Sequence, residues 1–334
     1  MAPEQIAKCL VMVVFISLFV ASTFAIPKKG KLIHIIREVN RKGPYIGLIT
    51  VFPPEEAAFF ATGAFKPHPK HPFMDLSGRR FRVGKIHEKR VIYVRCGIGT
   101  ANAVAATQQM LDLFDIVGIV HFGIAGNANN SLSIGDVSIP KQLAHTGIWD
   151  WVNPNGTLPS NDVAHLDFKT YNVPKGEDNL LGHIGYSNEQ FFSNSQMPNV
   201  DRPLFWAKVT QQWLHLASKL EGMKLEQCVN SSLCLDEEPK VVVGLRASTA
   251  NIFVDNAAYR NFLFRTFKVS SVDMESSATS LSNGFPVIVI RGLSDLAGGQ
   301  SGLNAIQIFG SLAALNTAIV VVAFLEQLPG SAYS

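Results

Sequence analysis

Two short stretches of this sequence place carboxylates where they could do acid–base chemistry. Residues 287–295 read Val-Ile-Val-Ile-Arg-Gly-Leu-Ser-Asp, an apolar strand that ends at Asp295. Upstream, residues 271–278 carry Asp273 and Glu275 on a β-rich entry that turns into a helix. Because a parallel α/β sheet places its chemistry at the carboxyl ends of its strands, we expect these carboxylates at one rim. Such a cluster suits proton donation to a leaving group and hydrogen bonding to sugar hydroxyls.

The elements that must position these residues alternate between strands and helices. The hydrophobic pattern predicts strands at 45–51, 81–86, 91–95, 117–122, 137–140 and 240–245, and helices at 101–114, 205–220, 256–267 and 306–325. From about 149 to 199 neither periodicity holds, and we expect a long insertion or lid there. The alternation, with one hairpin at 81–95, predicts an α/β fold, a three-layer sandwich with a mixed central β-sheet.

Composition bounds the class of protein. The chain has 334 residues, 47% of them hydrophobic and 16% charged, which is enough apolar sequence for a large core. The net charge is only +3 and no basic block stands out, so we expect no nucleic-acid partner. His and Cys residues do not cluster with ligand spacing, so we expect no metal.

The N-terminal residues are typical of a targeting segment. Lys8 supplies a positive start, Leu10–Val20 is an apolar run, and Thr23–Ala25 is a plausible cleavage site. We therefore predict a signal peptide at 1–25, with an N-terminal anchor as the alternative. A lead-in follows at 26–44, and one domain spans 45–330. The mature protein would follow the secretory route to an extracellular or vacuolar destination, with no membrane attachment after cleavage.

Cysteines and sequons fit that route. Asn129, Asn155 and Asn230 each begin an Asn-x-Ser/Thr triplet and are candidate glycosylation sites. Cys228 and Cys234 lie close together in a polar stretch, so an oxidising compartment favours a disulfide between them. Cys96 ends an apolar strand without an activating base nearby, and we expect it to be a buried thiol.

Six motifs occur in an order that resembles a known family. They are Glu55 after the first strand, Cys-Gly-Ile-Gly at 96–99, Gly-Ile-Ala-Gly at 123–126, Ile-Gly-Asp-Val at 134–137, Val-Asp-Met-Glu at 272–275 and Leu-Ser-Asp at 293–295. Together they resemble the purine nucleoside phosphorylase/uridine phosphorylase superfamily. Within it they are similar to methylthioadenosine/adenosylhomocysteine nucleosidases and to secreted plant bark and vegetative storage proteins. The resemblance covers about 45–325, apart from the insertion. It implies a nucleoside phosphorylase-like fold, cleavage of N-glycosidic bonds in purine nucleosides, and a homo-oligomer.

The resemblance also implies roles for particular residues. Asp295 matches the acid that protonates purine N7, and Ser294 would hold its carboxyl in place. Protonation there neutralises the charge left on the purine when the C1′–N9 bond breaks. Glu275 matches the residue that binds the ribose hydroxyls, and Met274 the one that packs under the sugar. Glu55 aligns with the water-activating residue of the nucleosidases.

Further positions match the binding of base and sugar. Ile252 and Phe253 match a segment that stacks on the base, although a core aromatic is an alternative reading. Gly99 and Gly123 would permit close approach of the backbone to the ligand. Asp273 lies where the nucleosidases have Glu, and a helix N-cap is the alternative for it.

The nucleophile is the open question. Related phosphorylases place an Arg where this chain has Glu55, so the residues favour water as the nucleophile. Arg95, His121 and Arg246 are the candidates for another phosphate site, although His121 fits a core histidine equally well. The secreted plant relatives, however, include enzymes that phosphorolyse cytokinin ribosides. We therefore expect phosphorolysis of adenosine-like ribosides to free base and ribose 1-phosphate, with inorganic phosphate as co-substrate and no other cofactor. The alternative is a hydrolytic nucleosidase that uses Glu55 and water.

Two alternative functions for this protein require no catalysis. A vegetative nitrogen store requires only a stable secreted chain, and a nucleoside-binding module requires no turnover. The joint presence of Glu55, Glu275 and Asp295 argues for an enzyme, because clustered acids repel one another unless they are hydrogen-bonded.

Overall fold

The computed structural model of the chain describes residues 30–157, 163–168, 182–186, 188–192, 201–280 and 285–329. Its helices are α1 (30–40), α2 (Pro53–Ala61), α3 (Thr100–Leu113), α4 (Gln211–Ala217), α5 (Ala257–Phe267), α6 (Ser276–Ser280) and α7 (Ile306–Gln327). Its strands are β1 (Tyr45–Thr50), β2 (Phe65–Pro67), β3 (Phe73–Leu76), β4 (Arg79–Ile86), β5 (Lys89–Arg95), β6 (Ile116–Asn127), β7 (Val137–Ile139), β8 (Gln142–His145), β9 (Asp150–Val152), β10 (Ala164–Asp167), β11 (His183–Tyr186), β12 (Glu189–Phe192), β13 (Asp201–Leu204), β14 (Trp206–Lys208), β15 (Cys228–Asn230), β16 (Leu233–Cys234), β17 (Val241–Val243), β18 (Arg246–Thr249), β19 (Val269–Asp273) and β20 (Val287–Leu296). The predicted signal peptide and parts of the predicted insertion lie outside the described residues.

A mixed β-sheet forms the centre of the fold. Its main path runs β14-β8-β18-β19-β6-β1-β5-β4-β2. β1 is buried at every position and pairs in parallel with β5 on one side and β6 on the other. β20 adds a further parallel partner to β6, whereas β4 runs antiparallel to β5 and β19 antiparallel to β6. Continuous burial of strands is expected where helices cover both faces of a sheet.

Alternate side chains of β1 enter two different hydrophobic cores. Ile46 and Leu48 belong to the core that includes residues of α2, α4 and α7. Tyr45 and Ile49 belong to the core that includes residues of α1 and α3. Since successive side chains of a strand point to opposite faces, the helices form a layer on each side of the sheet. This confirms the predicted three-layer α/β sandwich with a mixed sheet.

The stretch from about 149 to 199 is where we expect a long insertion or lid. Its described part contains the short strands β9, β10, β11 and β12, which the sequence pattern did not indicate. β10, β11 and β9 form a small antiparallel sheet, and β12 pairs with β13. Each strand has only three or four residues, too few for an alternating pattern to emerge.

Two further element predictions need correction. The predicted helix at 205–220 begins only at Gln211, because Trp206–Lys208 pairs with β8 as an edge strand. The predicted strand at 240–245 is only β17, which ends at Val243, before Gly244; β18, which the sequence pattern did not predict, begins at Arg246. That glycine has a φ of 90°, a conformation that L side chains rarely adopt and that breaks a strand.

The closing helix α7 is a core element. It is long and apolar enough to cross a membrane by length and composition alone, but most of it is buried inside the protein. It packs against β20 and β6, where Gly292 lets the strand approach the helix closely. A Cβ at Gly292 would collide with the Ala313 carbonyl and the Thr317 hydroxyl. The structure confirms the C-terminal helix that the sequence predicts at 306–325 and shows that it is mostly buried.

The cysteines are arranged as predicted. Cys228 and Cys234 form a disulfide that links β15 to β16, and Cys96 is a buried free thiol. Burial raises the pKa of the Cys96 thiol to about 12, so it carries no nucleophilic thiolate at neutral pH.

Candidate active site

A cleft of about 200 Å³ opens where several strands of the central sheet end. The three predicted catalytic residues, Glu55, Glu275 and Asp295, line it together. Five of the predicted substrate-binding residues line the same cleft, namely Ile252, Phe253, Asp273, Met274 and Ser294. The structure therefore brings together residues contributed by the segment after β1, the ends of β19 and β20, and the loop before α5.

Backbone amides hold the carboxylate of Glu55. One oxygen, Oε2, accepts hydrogen bonds from the N–H groups of Val51 at 2.7 Å and Phe52 at 3.2 Å. The other, Oε1, accepts from the N–H of Ile124 at 2.8 Å. Gly123 is needed beside it, because a Cβ there would collide with Oε1. The glycine motif in the last part of β6 thus contacts Glu55 directly.

The environment of Glu55 suits a group that exchanges protons near neutral pH. Burial raises the pKa of Glu55 to about 7, although the nearby Arg291 charge and the three backbone N–H groups act in the opposite direction. A carboxyl with a pKa near the working pH is suited to general acid–base catalysis.

Glu275 connects the cleft to two distant parts of the chain. Its Oε1 accepts from the N–H of Gly99 at 2.8 Å, and its Oε2 accepts from Arg291 Nη2 at 3.2 Å. Gly99 has a φ of 96°, which presents its N–H in a way that few L residues allow. Burial raises the pKa of Glu275, while Arg291 lowers it and Asp273 raises it further.

Asp273 has the geometry of a helix cap. Its Oδ1 accepts from the N–H groups of Glu275 at 3.0 Å and Ser276 at 2.8 Å, and from the Thr249 hydroxyl at 2.9 Å. Side-chain acceptors at a helix start satisfy the first N–H groups in this way. Asp273 therefore makes the contacts of a helix N-cap, which was the alternative role for it, and its side chain also lines the cleft.

Side-chain donors, rather than amides of the backbone, hold Asp295. The Ser294 hydroxyl lies 2.5 Å from Oδ1, and the Gln300 amide nitrogen donates to Oδ2. The pairing of β20 with β6 shifts register between Leu293 and Asp295, and such bulges re-aim side chains near active sites. Burial raises the pKa of Asp295, against the two donors, and the charge of Asp255 adds to the rise.

Arg291 is a central residue of the site that sequence reasoning missed. It lies in the middle of β20, is fully buried, and its guanidinium contacts Glu275, Asp273 and Ser276. Its Nη1 also donates to the Ile124 carbonyl at 3.2 Å. The signal in the sequence was a lone charge inside an apolar strand, since arginines are almost never fully buried unless paired.

The candidate phosphate residues do not assemble into one site. His121 is fully buried, with Nδ1 3.1 Å from the Ile49 carbonyl and Nε2 2.6 Å from Arg291 Nη2. Burial and the Arg291 charge hold the pKa of His121 well below its usual range, so it is neutral. Arg95 forms an ion pair with Glu56 at 3.1 Å, and Arg246 lies over the Trp206 ring. The three candidate groups therefore have different partners in the structure, and a role for them in phosphate binding stays a prediction.

A second cleft of about 460 Å³ adjoins the first. The two share the segment 252–254, and its Phe253 side chain is 55% exposed rather than packed in the core. Trp149, Trp151 and Phe168 from the predicted insertion form an aromatic wall of this second cleft. The insertion therefore contributes to the surroundings of the site.

The sequons differ in accessibility. Asn155 and Asn230 are exposed. Asn129 is half-buried, and its amide nitrogen lies 3.2 Å from the Ser270 hydroxyl. Among the described residues, no group of three or more His, Cys, Asp or Glu is arranged to hold a metal ion.

Comparisons with known proteins agree with this architecture. A family model described as the phosphorylase superfamily matches residues 45–326. Bark storage protein A of Populus deltoides is 32% identical over 311 residues, covering 90% of this chain and 96% of the relative. A 5′-methylthioadenosine/S-adenosylhomocysteine nucleosidase of Chromohalobacter salexigens is 24% identical over 257 residues, covering 75% of this chain and 86% of the relative. The nucleosidase of that type from Colwellia psychrerythraea, solved in complex with adenine, is similar in structure. Its TM-score is 0.58 at 22% identity, covering 87% of this chain and 98% of that one.

Proposed function

Because the chain belongs to the phosphorylase superfamily, we propose that it cleaves the N-glycosidic bond of purine ribosides, and that water is the nucleophile. The observation that carries the proposal is the meeting of three buried carboxyl groups, Glu55, Glu275 and Asp295, in one cleft. A chain without catalytic work has no need to bury such a cluster, since each charge costs desolvation energy.

The geometry suggests one role for each group. Asp295, in its protonated form, gives its proton to purine N7 as the C1′–N9 bond breaks and the bonding electrons pass to the base. Glu275 accepts hydrogen bonds from the ribose hydroxyls and stabilises the developing positive charge on the sugar. The oxygen of a water molecule attacks C1′, and Glu55 takes the proton that the water loses. The products are the free base and ribose.

Electrostatics favours water over phosphate. A phosphate dianion would have to lie beside carboxyl groups, and the one cation that contacts this cluster in the described residues is Arg291. Arg291 is already engaged with Glu275 and Asp273. Phosphorolysis, which we expected from the resemblance to secreted plant enzymes, would need an anion site. Of the candidates for it, Arg95 pairs with Glu56, His121 lies against Arg291, and Arg246 lies over the Trp206 ring.

The second cleft bears on which bases would be accepted. Its aromatic wall, with Trp149 and Trp151, adjoins the segment that we assign to base stacking. Such a wall suits an apolar substituent on the purine, because burying apolar surface is favourable. We therefore propose that N6-substituted adenosines of the cytokinin riboside type are among the substrates.

Base release is the direct test. Adenosine and N6-isopentenyladenosine would be incubated with the purified protein, with and without inorganic phosphate, and the sugar product identified. We expect phosphate-independent release with ribose as the product. If the sugar product is ribose 1-phosphate and forms only when phosphate is present, the reaction is phosphorolysis and the proposal of hydrolysis is wrong.

Isosteric variants test the residue roles. Asp295→Asn and Glu55→Gln should each lose at least about 100-fold in kcat. Glu56→Gln is the matched control, because this neighbour of Glu55 pairs with Arg95 and does not line the cleft. Wild-type turnover by Asp295→Asn would refute the assignment of the acid.

Nitrogen storage is the second candidate function. It is favoured by the 32% identity to a protein named for bark storage. If no riboside is cleaved and none raises the melting temperature of the wild-type protein, storage becomes the better account. The secretory route, the extracellular or vacuolar destination and the homo-oligomeric state remain predictions from the sequence.

A further inference from the structure

Gln300 touches the carboxyl group of Asp295 from outside the strand that carries it. It lies in the segment between β20 and α7. Its Nε2 donates to Asp295 Oδ2, and its Oε1 accepts from the N–H of Ile306 at 3.1 Å. Ile306 lines the catalytic cleft and begins α7. One side chain thus connects the reacting carboxyl to a residue at the wall of the cleft.

The contact with Ile306 determines which way the amide faces. A backbone N–H can only donate, so it must meet the oxygen of Gln300, and the NH₂ group is left to face Asp295. Asp295 Oδ2 therefore receives a donor. Ser294 donates to the other oxygen. A carboxyl that accepts on both oxygens is favoured in its charged form, yet an acid must carry a proton to give one away.

We propose that Gln300 is a positioning residue that favours the charged form of Asp295, and that withdrawal of its NH₂ group from Oδ2 shifts this carboxyl towards the protonated form. Turning the amide over would set its NH₂ group against the Ile306 N–H. Release of Oδ2 therefore requires the contact with Ile306 to break. Binding of a riboside against Ile306 would couple occupancy of the cleft to protonation of the acid. This inference rests on the proposed function for its catalytic meaning, but not for its geometry.

Other charged groups around Asp295 do not replace this control. Asp255, in the loop before α5, raises the pKa of Asp295, and its Oδ1 lies 3.4 Å from the Gln300 backbone N. Glu55, Asp273 and Glu275 line the same cleft. Arg291, on the same strand, contacts Glu275 and Asp273. Gln300 is thus a donor to Asp295 that lies outside β20 and can withdraw.

The first test needs no substrate. Melting temperatures of the wild type, Gln300→Leu, Asp295→Asn and the double variant would be measured from pH 4 to 8. Loss of the donor raises the folded-state pKa of Asp295, which burial already holds above its unfolded value. The protein then loses stability over a wider pH interval, from the unfolded-state pKa of Asp295 up to its raised folded-state pKa. We expect the melting temperature of Gln300→Leu to fall below that of the wild type by about 2 °C more at pH 8 than at pH 4. In the Asp295→Asn background the deficit should not change with pH.

The second test uses a pair of variants at one position. Ile306→Pro removes the N–H that orients the amide, whereas Ile306→Ala keeps it. Proline is tolerated at the first position of a helix, and Ala305 before it has a ψ of 139°, which a following proline accepts. In the pH profile of kcat/KM, we expect the alkaline limb to move up by about one unit in Gln300→Leu and Ile306→Pro. It should stay in place in Ile306→Ala and in the control Gln307→Leu.

The outcomes separate the two proposals. A melting deficit of Gln300→Leu that is the same at every pH, or that persists with Asp295→Asn, would overturn the role of Gln300. If no riboside is cleaved but the melting deficits behave as expected, the contact is upheld and only the proposed function fails. An unshifted alkaline limb in an active Ile306→Pro would overturn the coupling to the cleft.

Discussion

Replacing Arg291 should expose how much the site depends on a single buried charge. The guanidinium has no exposed surface and lies 3.2 Å from Glu275 and 3.5 Å from Asp273. Arg291→Met keeps the apolar length of the side chain and removes the charge and every donor. Breaking a buried ion pair by deleting one partner costs about 3–5 kcal/mol, because the other charge stays buried and uncompensated.

The pH dependence of that loss identifies its cause. Without Arg291 the pKa values of Glu275 and Glu55 rise further, since the arginine charge now lowers both. Groups whose folded pKa is raised destabilise the protein as the pH climbs through that value, so the loss should be largest near pH 8 and smaller near pH 5. Urea denaturation at both pH values measures it.

A paired variant makes the test specific. Arg291→Met with Glu275→Gln removes both charges, and it should recover part of the stability lost at pH 8. Arg80→Met is the control, because Arg80 and its partner Asp75 are exposed, and little change is expected there. A deficit of Arg291→Met that is equal at both pH values, with no recovery in the double variant, would refute the electrostatic reasoning.

Three further predictions concern the site and its surroundings. Gly123→Ala should destabilise the protein by about 1–3 kcal/mol and lower kcat, because its methyl group would press on the Glu55 carboxylate; denaturation and turnover measure both, and an unchanged variant would contradict the contact. The kcat of the wild type should rise with pH through about 7 as Glu55 loses its proton, and Glu55→Gln should abolish this limb in a pH–rate profile. In the secreted protein, Asn155→Gln and Asn230→Gln should each lower the mass by one glycan, whereas Asn129→Gln should not, because the Asn129 amide is held against Ser270; mass spectrometry decides.

The predicted carboxylates met in one cleft because their positions follow from strand ends. Asp295 lies at the end of β20, which runs parallel to β6, and Glu275 follows β19, which runs antiparallel to β6 but pairs with the same end of it, at Gly126 and Asn127. Motif order located Glu55 after β1 in the same way. Strand ends and motif order are both visible in the sequence, so the sequence was sufficient to predict that these carboxylates lie close together.

Arg291 and Gln300 could not be assigned from the same reading. The role of Arg291 depends on contacts with residues of β6 and of the turn after β19, and that of Gln300 on the N–H of Ile306. Such contacts arise only once the strands are packed. The strands β9 to β12 were missed for a related reason, since their pairing, not their short pattern, defines them.

The difference between the donors at Glu55 and Asp295 argues for different chemical roles. Glu55 is held by three backbone N–H groups, which cannot turn into acceptors, so these donors favour its charged form while burial favours the neutral one. Asp295 is held by a hydroxyl and an amide side chain, both of which can rotate or withdraw. A general base must rest in its anionic form with a pKa near the working pH, whereas a general acid must hold a proton before the reaction and release it during the reaction. Glu55 is therefore the better base and Asp295 the better acid, although burial raises the pKa of each.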